Sequence, residues 1–328
     1  MMTPHELEAQ THAYQASAVV LAANHLAITA TLCHEPLRSE ELARKLRLDV
    51  RATAVLTDAL VSLGVLARSD GRLGVPEELQ PLLDPASPRT VTHALEHAWH
   101  LLQRWSKLDE VVRSGQPTPR PRDDEEQLRA FILAMADMAR QTGGALWDAI
   151  DLGGQRHLVD VGGGPGELAL AALERFPSLS ATVFDSPAVL NIAREYAAPR
   201  GLAGRIGFQT GDALHDDIPA CDVALVSALV HAYGPDEVRE IARHVGAGLQ
   251  PGGLLLVREF LWHDAAHSGP LGAALFSVNM LGGTPSGRCY AAVELEAIFA
   301  PAGFADWRLV PLDTRSTVLI ANRRVDQA

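Results

Sequence analysis

A glycine-rich turn at residues 162–166 constrains this chain more than any other feature of its sequence. It follows an apolar, strand-like segment at 158–161 and leads into an apolar helical segment at 167–173. Glycines permit positive φ and let the backbone pass close to a ligand, while the N–H groups that open the next helix point into the same space. The pattern predicts a strand–turn–helix unit that binds a cofactor. Such turns occur in nucleotide, dinucleotide and sulfonium-cofactor sites alike, and Pro165 departs from the dinucleotide form G-x-G-x-x-G.

The next strand-like segment, at 181–185, ends in an acid that narrows the choice of ligand. A carboxylate at the end of the second strand offers two acceptors for the two hydroxyls of a ribose. Asp185 also suits a cap for the helical segment that begins at Pro187, and the two roles are compatible. The glycine turn and Asp185 together predict an adenosine-bearing ligand.

Strand-like and helix-like segments alternate through the rest of the chain. Strands are predicted at 206–210, 222–226 and 253–259, and helices at 189–198 and 236–249. This alternation predicts an α/β fold with a doubly wound, mostly parallel sheet that binds its ligand at the carboxyl ends of the strands. The last two strands, around 308–311 and 317–322, are joined by a link too short for a helix, so they are predicted to form an antiparallel edge hairpin.

Composition excludes several classes of protein. A chain of 328 residues that is 47% hydrophobic and 21% charged is expected to form two globular domains. Its net charge of −12 repels a phosphate backbone, which predicts no nucleic-acid partner. The sequence has neither a long uncharged apolar run nor a basic, then apolar leader, so we expect a cytoplasmic protein with no membrane partner. Three widely spaced cysteines predict neither a disulfide framework nor a zinc knuckle.

The N-terminal third has the pattern of a winged helix. An apolar helical stretch at 14–32 needs a partner surface to bury it, and helices at 39–46 and 50–63 are followed by two short strands within 64–75. The helix at 50–63 has Arg51 as its only basic residue, whereas a helix that reads DNA bases needs several polar or basic side chains on one face. We therefore predict an N-terminal winged-helix domain at 1–110 that does not read DNA and a cofactor domain at 111–328.

Five groups of residues resemble the S-adenosylmethionine-dependent O-methyltransferases of the plant and bacterial small-molecule type, over nearly the whole chain. They lie at 160–166, 185–189, 211–212, 227–237, and 287–288 with 302–304. The resemblance implies a Rossmann-like methyltransferase domain and an N-terminal module that forms a homodimer. It also implies S-adenosyl-L-methionine as the cofactor and a small-molecule hydroxyl as the methyl acceptor, in bacterial specialised metabolism.

His231 is the predicted catalytic residue. It follows the strand at 222–226, which places it at the ligand-binding edge, and a histidine titrates near neutrality, as a general base must. The resemblance assigns Glu259, at the end of the next strand, to hydrogen bonding with the imidazole and fixing its tautomer. A purely structural histidine at a sheet edge is the alternative.

The remaining site predictions fall into two groups. The cofactor-binding residues are predicted to be Asp160, Gly162, Gly164, Gly166, Asp185, Asp212, Ala213 and Ser227. The resemblance places Asp212 against the adenine, with a plain turn as the alternative. The substrate-binding residues are predicted to be Phe131, Met135, Trp99, Asn279 and Met280. Asn279 is expected to hydrogen-bond a polar acceptor.

Two departures from the family pattern qualify the resemblance. Ala232 stands where the family has the acid of a His-Asp pair that an iron-dependent branch uses as ligands, so we predict no metal. Cys289 stands where plant members have a second acid beside the base, which weakens the orientation of His231. Transfer to sulfur, carbon or nitrogen therefore stays open. So do a DNA-binding regulator and a family member with non-methylating chemistry.

Overall fold

The computed structural model describes residues 2–118 and 125–325. The chain divides into two compact units, Met1–Ser106 and Lys107–Ala328. This division falls four residues before the boundary predicted after residue 110, because the last helix of the first unit ends at Trp105.

The N-terminal unit has the order of elements predicted from the sequence. Its first four helices are α1 (Pro4–His25), α2 (Ile28–His34), α3 (Ser39–Leu46) and α4 (Val50–Ser62). An antiparallel hairpin of β1 (Ala67–Ser69) and β2 (Arg72–Gly74) follows, and then α5 (Gln80–Leu83) and α6 (Thr92–Trp105). Two helices and a hairpin in this sequence correspond to the predicted winged-helix pattern.

The predicted single helical stretch at 14–32 is wrong in detail. Helix α1 starts already at Pro4, where the hydroxyl of Thr3 accepts a hydrogen bond from the Glu6 backbone N–H and the Glu6 carboxylate accepts one from the Thr3 N–H. Ala27 then adopts a left-handed conformation with φ of 55° and separates α1 from α2. A single left-handed residue cannot continue an α-helix, so the apolar stretch folds as two helices.

The second half of this stretch contributes to the core of the unit. Ala23, Ile28 and Leu32 pack into one core with the apolar side chains of α3, α4 and the hairpin, and Leu21 is buried as well. The exposed apolar side chains of α1 lie nearer its start, where Leu7 is 57% and Tyr14 59% exposed. The apolar surface of α1 that needs a partner therefore lies at Leu7 and Tyr14, before and at the start of the segment that the sequence indicated.

The two units meet in the chain between two helices. Helix α6 ends at Trp105, and α7 (Leu108–Ser114) belongs to the C-terminal unit. The C-terminal unit continues with α8 (Glu125–Ala149).

Seven strands of the described residues form the predicted mixed sheet. The strands are β3 (His157–Val161), β4 (Ser180–Asp185), β5 (Ile206–Thr210), β6 (Cys221–Ser227), β7 (Leu249–Glu259), β8 (Phe304–Pro311) and β9 (Thr317–Arg323). Their order is β5-β4-β3-β6-β7-β9-β8. The first five are parallel, and β8 and β9 form the predicted antiparallel hairpin at one edge, with β9 paired to β7.

Helices cover both faces of the sheet. Besides α8, they are α9 (Glu167–Arg175), α10 (Pro187–Ala197), α11 (Pro235–Gly248) and α13 (Ala292–Phe299). A further helix, α12 (Leu271–Gly283), contacts α7 and the turn at Val230–Ala232. Residues of α8 and α9 pack with Leu158, Leu225 and Leu256 on one face, while residues of α11 and α13 pack with Val159 and Val257 on the other. Apolar side chains on both faces explain why the strands read as continuous hydrophobic runs. The α/β fold class is confirmed.

Within the described residues, no single helix is long and apolar enough to cross a membrane. Helices α1 and α2 meet the criteria of length and composition only as a pair, and they are bent by 63° relative to each other.

Candidate active site

The glycine turn after β3 has a backbone conformation that residues with a side chain adopt only with strain. Gly162, Gly164 and Gly166 have φ values of 62°, 56° and 77°. A Cβ on Gly162 would lie 2.8 Å from Leu229, and one on Gly166 would lie 2.8 Å from Val183. A Cβ on Gly164 would meet no atom within 4 Å, so this glycine faces open space. The turn therefore combines close packing at its two ends with an accessible backbone at its centre, which suits a ligand that lies against it.

Asp185 holds the same turn from the end of β4. Its Oδ2 accepts a hydrogen bond of 3.0 Å from the Gly164 backbone N–H, and its Oδ1 accepts one of 2.7 Å from Ser186. Each carboxylate oxygen retains a further acceptor position for the hydroxyls of a ribose. Burial raises the pKa of Asp185, while these two backbone donors act in the opposite direction. The residue that caps α10 by position is Ser186, and the Asp185 carboxylate accepts no hydrogen bond from the N–H groups of that helix, so its predicted role as a helix cap is wrong.

Asp160 is a buried acid directly beneath the turn. It is 2% exposed, and burial together with the nearby charge of Asp185 raises its pKa to about 7. The Ala169 backbone N–H favours the ionised form. A Cβ on Gly163 would lie 2.7 Å from the Asp160 carboxyl carbon, so the turn is packed onto the acid. A cationic ligand above the turn would favour the charged form of Asp160.

The turn after β5 carries Asp212 and Ala213. A Cβ on Gly211 would lie 2.1 Å from the ring of Phe184, which explains why the turn begins with glycine. Oδ1 of Asp212 accepts a 2.9 Å hydrogen bond from the Leu214 N–H, so this acid serves the plain turn that the sequence left as an alternative. Its predicted contact with adenine, and that of the buried Ala213, stay predictions.

His231 and Glu259 form a buried pair. Nδ1 of His231 lies 2.7 Å from Oε2 of Glu259, and the His231 backbone N–H donates to Oε1 at 3.4 Å. The side chains are 11% and 3% exposed. His231 lies in a short 3₁₀ turn after β6, and Glu259 is the last residue of β7. The parallel pairing of β6 with β7 brings them together, as predicted from the sequence.

Two phenylalanine rings surround the imidazole. The centroid of Phe276 on α12 lies 4.7 Å from that of His231 in an edge-to-face arrangement, and the Phe260 centroid lies at 6.0 Å. Phe260 was missed in the sequence, although its position directly after Glu259 indicates the same strand end. The rings give the base an apolar neighbourhood that suits an aromatic ligand.

The segment at 284–291 packs against the turn that carries His231. The Tyr290 hydroxyl donates a 2.7 Å hydrogen bond to the Tyr233 carbonyl, and the Ser286 hydroxyl accepts one of 3.1 Å from the Gly234 N–H. A Cβ on Gly287 would lie 2.4 Å from the His231 carbonyl oxygen. Only glycine fits at 287 without moving the backbone of the predicted base.

The predicted substrate residues lie on separate elements. Asn279 on α12 has a buried Oδ1 without a hydrogen-bond partner, and Met280 beside it is buried. Phe131 and Met135 lie on α8, where Phe131 is exposed and Met135 half-buried. Trp99 belongs to the N-terminal unit, where its ring stacks on His25. The unpartnered amide oxygen of Asn279 is the strongest sign of a polar ligand group among these residues.

Cys289 is buried and uncharged beside the pair. Burial and the charge of Glu259 raise the pKa of its thiol to about 11. The site therefore has a thiol, and not a second acid, at position 289, as the sequence indicated. In the described part of the chain, no three His, Cys, Asp or Glu side chains form a group that could hold a metal ion.

Ser227, the last residue of β6, contacts Arg258, which the sequence analysis did not single out. Nη1 of Arg258 lies 3.4 Å from the Ser227 hydroxyl, and Arg258 is itself buried. The available signal was an arginine directly after the apolar run at 254–257.

Two family models match this chain. The O-methyltransferase domain model matches residues 114–305, and the O-methyltransferase dimerisation domain model matches residues 9–79. This chain belongs to the O-methyltransferase family. The members of this family use S-adenosylmethionine as methyl donor, so the chain is an S-adenosylmethionine-dependent O-methyltransferase, and the family and cofactor predicted from the sequence are confirmed.

Curated relatives match most of this O-methyltransferase. It is 32% identical to 3-hydroxy-5-methyl-1-naphthoate 3-O-methyltransferase of Streptomyces sahachiroi, over 82% of this chain and 80% of the relative. It is 31% identical to acetylserotonin O-methyltransferase of Bos taurus, over 92% of each. Its fold resembles the crystal structure of human N-acetylserotonin methyltransferase in complex with S-adenosylmethionine, with a TM-score of 0.89 and 24% identity, over 99% of this chain and 100% of that one.

Replacing Asp185 with alanine tests the cofactor site. Removing the carboxylate deletes the predicted ribose acceptors and a support of the glycine turn. We expect S-adenosylhomocysteine to bind more weakly by roughly 1.5–3 kcal/mol, the range for hydrogen bonds to a charged group. Isothermal titration calorimetry measures this affinity. Asp148→Ala is the matched control, because it removes an exposed acid at the far end of α8. Equal affinities in both variants would contradict the assignment.

Replacing Gly287 with alanine tests the packing behind His231. The added methyl displaces the turn that carries the imidazole, and a shift of about 1 Å in a catalytic group costs on the order of 100-fold in rate. We expect kcat to fall by about that factor, with the affinity for S-adenosylhomocysteine within twofold of the original. Gly272→Ala is the control, because a Cβ there meets no atom within 4 Å. A normal kcat for Gly287→Ala would show that the contact does not position the base.

Proposed function

We propose that this enzyme methylates a hydroxyl group on an aromatic small molecule of bacterial specialised metabolism, with His231 as the general base. The observation that carries the proposal is the buried pair of His231 and Glu259 at the carboxyl edge of the sheet, with 2.7 Å between Nδ1 and Oε2. The relative that acts on a hydroxynaphthoate supports an aromatic acceptor, as do the two phenylalanine rings beside the imidazole.

The cofactor site fits an adenosine-bearing donor. Gly164 offers an open backbone, Asp185 retains free acceptor positions, and the buried Asp160 favours positive charge nearby. When bound, S-adenosylmethionine supplies a methyl group on a positively charged sulfur. In-line transfer of that group asks the protein mainly for alignment and for a deprotonated acceptor.

The hydrogen bond between His231 and Glu259 fixes which nitrogen acts as the base. When the Nδ1–H group donates a hydrogen bond to the Glu259 carboxylate, Nε2 carries the free lone pair. Nε2 can then accept the proton of the acceptor hydroxyl. The Glu259 carboxylate then stabilises the imidazolium that forms. Because Glu259 is buried and transfers no proton itself, its role is to orient and to stabilise charge.

Asn279 is the proposed polar contact of the acceptor. Its buried Oδ1 has no partner within the protein, and leaving such an acceptor unsatisfied is costly unless a ligand supplies a donor. Helix α12 also carries Phe276, whose ring touches the imidazole, so one helix presents both an apolar and a polar contact near the base.

Replacing His231 with alanine tests the base. We expect kcat to fall by about two to four orders of magnitude, the usual contribution of a positioned general base, with unchanged affinity for S-adenosylhomocysteine. In the unmodified enzyme, kcat for a hydroxyl acceptor should rise with pH as the base loses its proton, and this limb should be absent from the variant. Glu259→Gln should cost less.

His244→Ala provides a matched control for this experiment. His244 is buried, and its Nδ1 also lies 2.7 Å from a carboxylate, that of Asp217, but it belongs to the second half of α11. Its loss should leave the pH profile intact. Near-normal turnover of His231→Ala would mean that the acceptor arrives already ionised, which favours a thiol or acidic carbon.

We further propose that the N-terminal unit joins two copies of the chain in a homodimer rather than reading DNA. The dimerisation-domain match at 9–79 and the exposed apolar side chains of α1 support the proposal. Helix α4 has Arg51 as its only basic side chain, which argues against base readout.

The dimer is tested by light scattering with the double variant Leu7→Glu, Tyr14→Glu. Both side chains are exposed in a single chain, so the substitutions should preserve folding and shift the mass toward the monomer at micromolar concentration. Ile28→Glu should instead unfold the unit, because Ile28 belongs to its core. A monomeric mass for the unmodified protein would refute the proposal.

A further inference from the structure

Arg258 is a buried cation with few partners. It is 7% exposed, its Nε has no hydrogen-bond partner, and its contacts are long, with Nη1 3.4 Å from the Ser227 hydroxyl and Nη2 3.5 Å from the Ser316 hydroxyl. No carboxylate among the described residues lies within ion-pair distance of its guanidinium. A buried charge without a counter-ion is strongly destabilising, so the protein by itself does not explain why an arginine occupies this position.

The nearby acids are already engaged. Glu259 binds His231, and Asp313 accepts hydrogen bonds from the Arg315 N–H, the Ser316 N–H and the Ser316 hydroxyl. Both acids favour the charged form of Arg258, but burial outweighs them and lowers its pKa. The neighbouring charge of Arg315 opposes the charged form as well.

Strand register places Arg258 beside the ligand-binding edge. Ser227 pairs with Arg258, and Asp160 pairs with Leu225 two residues earlier on β6. Side chains alternate along a strand, so Arg258 lies on the same face of the sheet as Asp160, and Glu259 lies on the other. The guanidinium thus reaches from the end of β7 toward the end of β6, on the side of the glycine turn.

We propose that Arg258, with the hydroxyl of Ser227, binds a ligand carboxylate at this edge of the sheet. The planar guanidinium presents paired N–H donors whose spacing matches the two oxygens of a carboxylate. The Ser227 hydroxyl accepts from Arg258 and keeps its own proton to donate to the ligand. A bound carboxylate would supply the missing counter-ion and the missing acceptor at once.

Two ligands of this enzyme can carry that carboxylate. One is the amino-acid end of the cofactor. The other is an acid group on the acceptor, as in the hydroxynaphthoate of the Streptomyces sahachiroi relative. The second source rests on the proposed function, whereas the first depends only on cofactor binding.

The cofactor source is tested by calorimetry with Arg258→Met, which keeps the length of the side chain but removes its charge. S-adenosylhomocysteine has the amino-acid carboxylate, and 5′-methylthioadenosine lacks it. If the cofactor supplies the carboxylate, the substitution should weaken S-adenosylhomocysteine at least tenfold and leave methylthioadenosine within twofold. Arg308→Met is the control, because it removes an exposed arginine from β8.

The acceptor source is tested with 3-hydroxy-1-naphthoate and its methyl ester, each titrated into the protein saturated with S-adenosylhomocysteine. If the acceptor supplies the carboxylate, Arg258→Met should weaken the acid at least tenfold without changing the ester. Neither arm measures turnover, so a failure of His231 as the base would leave both results interpretable. A loss of carboxylate selectivity in either arm supports the proposal, and its retention in both overturns it.

Thermal unfolding of the ligand-free protein gives an independent measurement. If Arg258 is kept for binding, Arg258→Met removes an uncompensated buried charge and should raise Tm by at least about 2 °C. A fall in Tm with unchanged ligand affinities would identify a structural arginine and overturn the proposal. Should Arg258→Met fail to fold, Ser227→Ala keeps the cation and removes one donor, and a selective loss of carboxylate affinity is again expected.

Discussion

The parallel pairing of β3, β6 and β7 is the constraint on which the rest of this structure depends. Parallel strands end at the same edge of a sheet, so residues separated by many positions in sequence meet there. Asp160, Ser227 and Glu259 reach that edge from three neighbouring strands. The turns that follow have little freedom, because the glycines at 162, 166 and 287 leave no room for a side chain.

Buried charge is concentrated at this edge. Asp160, Arg258 and Glu259 are nearly inaccessible to solvent, while the cores on the two faces of the sheet consist of aliphatic and aromatic side chains. Burial opposes ionisation, and the raised pKa of Asp160 and the lowered pKa of Arg258 reflect it. Charges in such places stabilise a fold poorly and are typical of functional sites, which supports the roles proposed for these residues.

The N-terminal unit shows how a single backbone conformation redirects an apolar sequence. The stretch at 14–32 would form one long hydrophobic helix if periodicity alone decided, and such a helix would require a partner. The left-handed conformation of Ala27 turns the chain so that α2 and the end of α1 share a core within the unit. The large apolar side chains of α1 that stay exposed, Leu7 and Tyr14, lie before and at the start of that stretch.

The sequence by itself determined the α/β class, the order of strands and helices along the chain, and the glycine turn with Asp185, because local periodicity and the rule that parallel strands end together are enough for these. The prediction that Glu259 is the partner of His231 came from the resemblance to the O-methyltransferases. Tertiary structure alone decided the break at Ala27 and the close approach of Gly287 to the backbone of His231. It also decided that Arg258 has no carboxylate partner among the described residues. Each of these depends on which atoms approach from elements distant in sequence. A left-handed alanine, a missing Cβ and an unpaired guanidinium have no periodic signature, since their meaning lies in the neighbours that folding places around them.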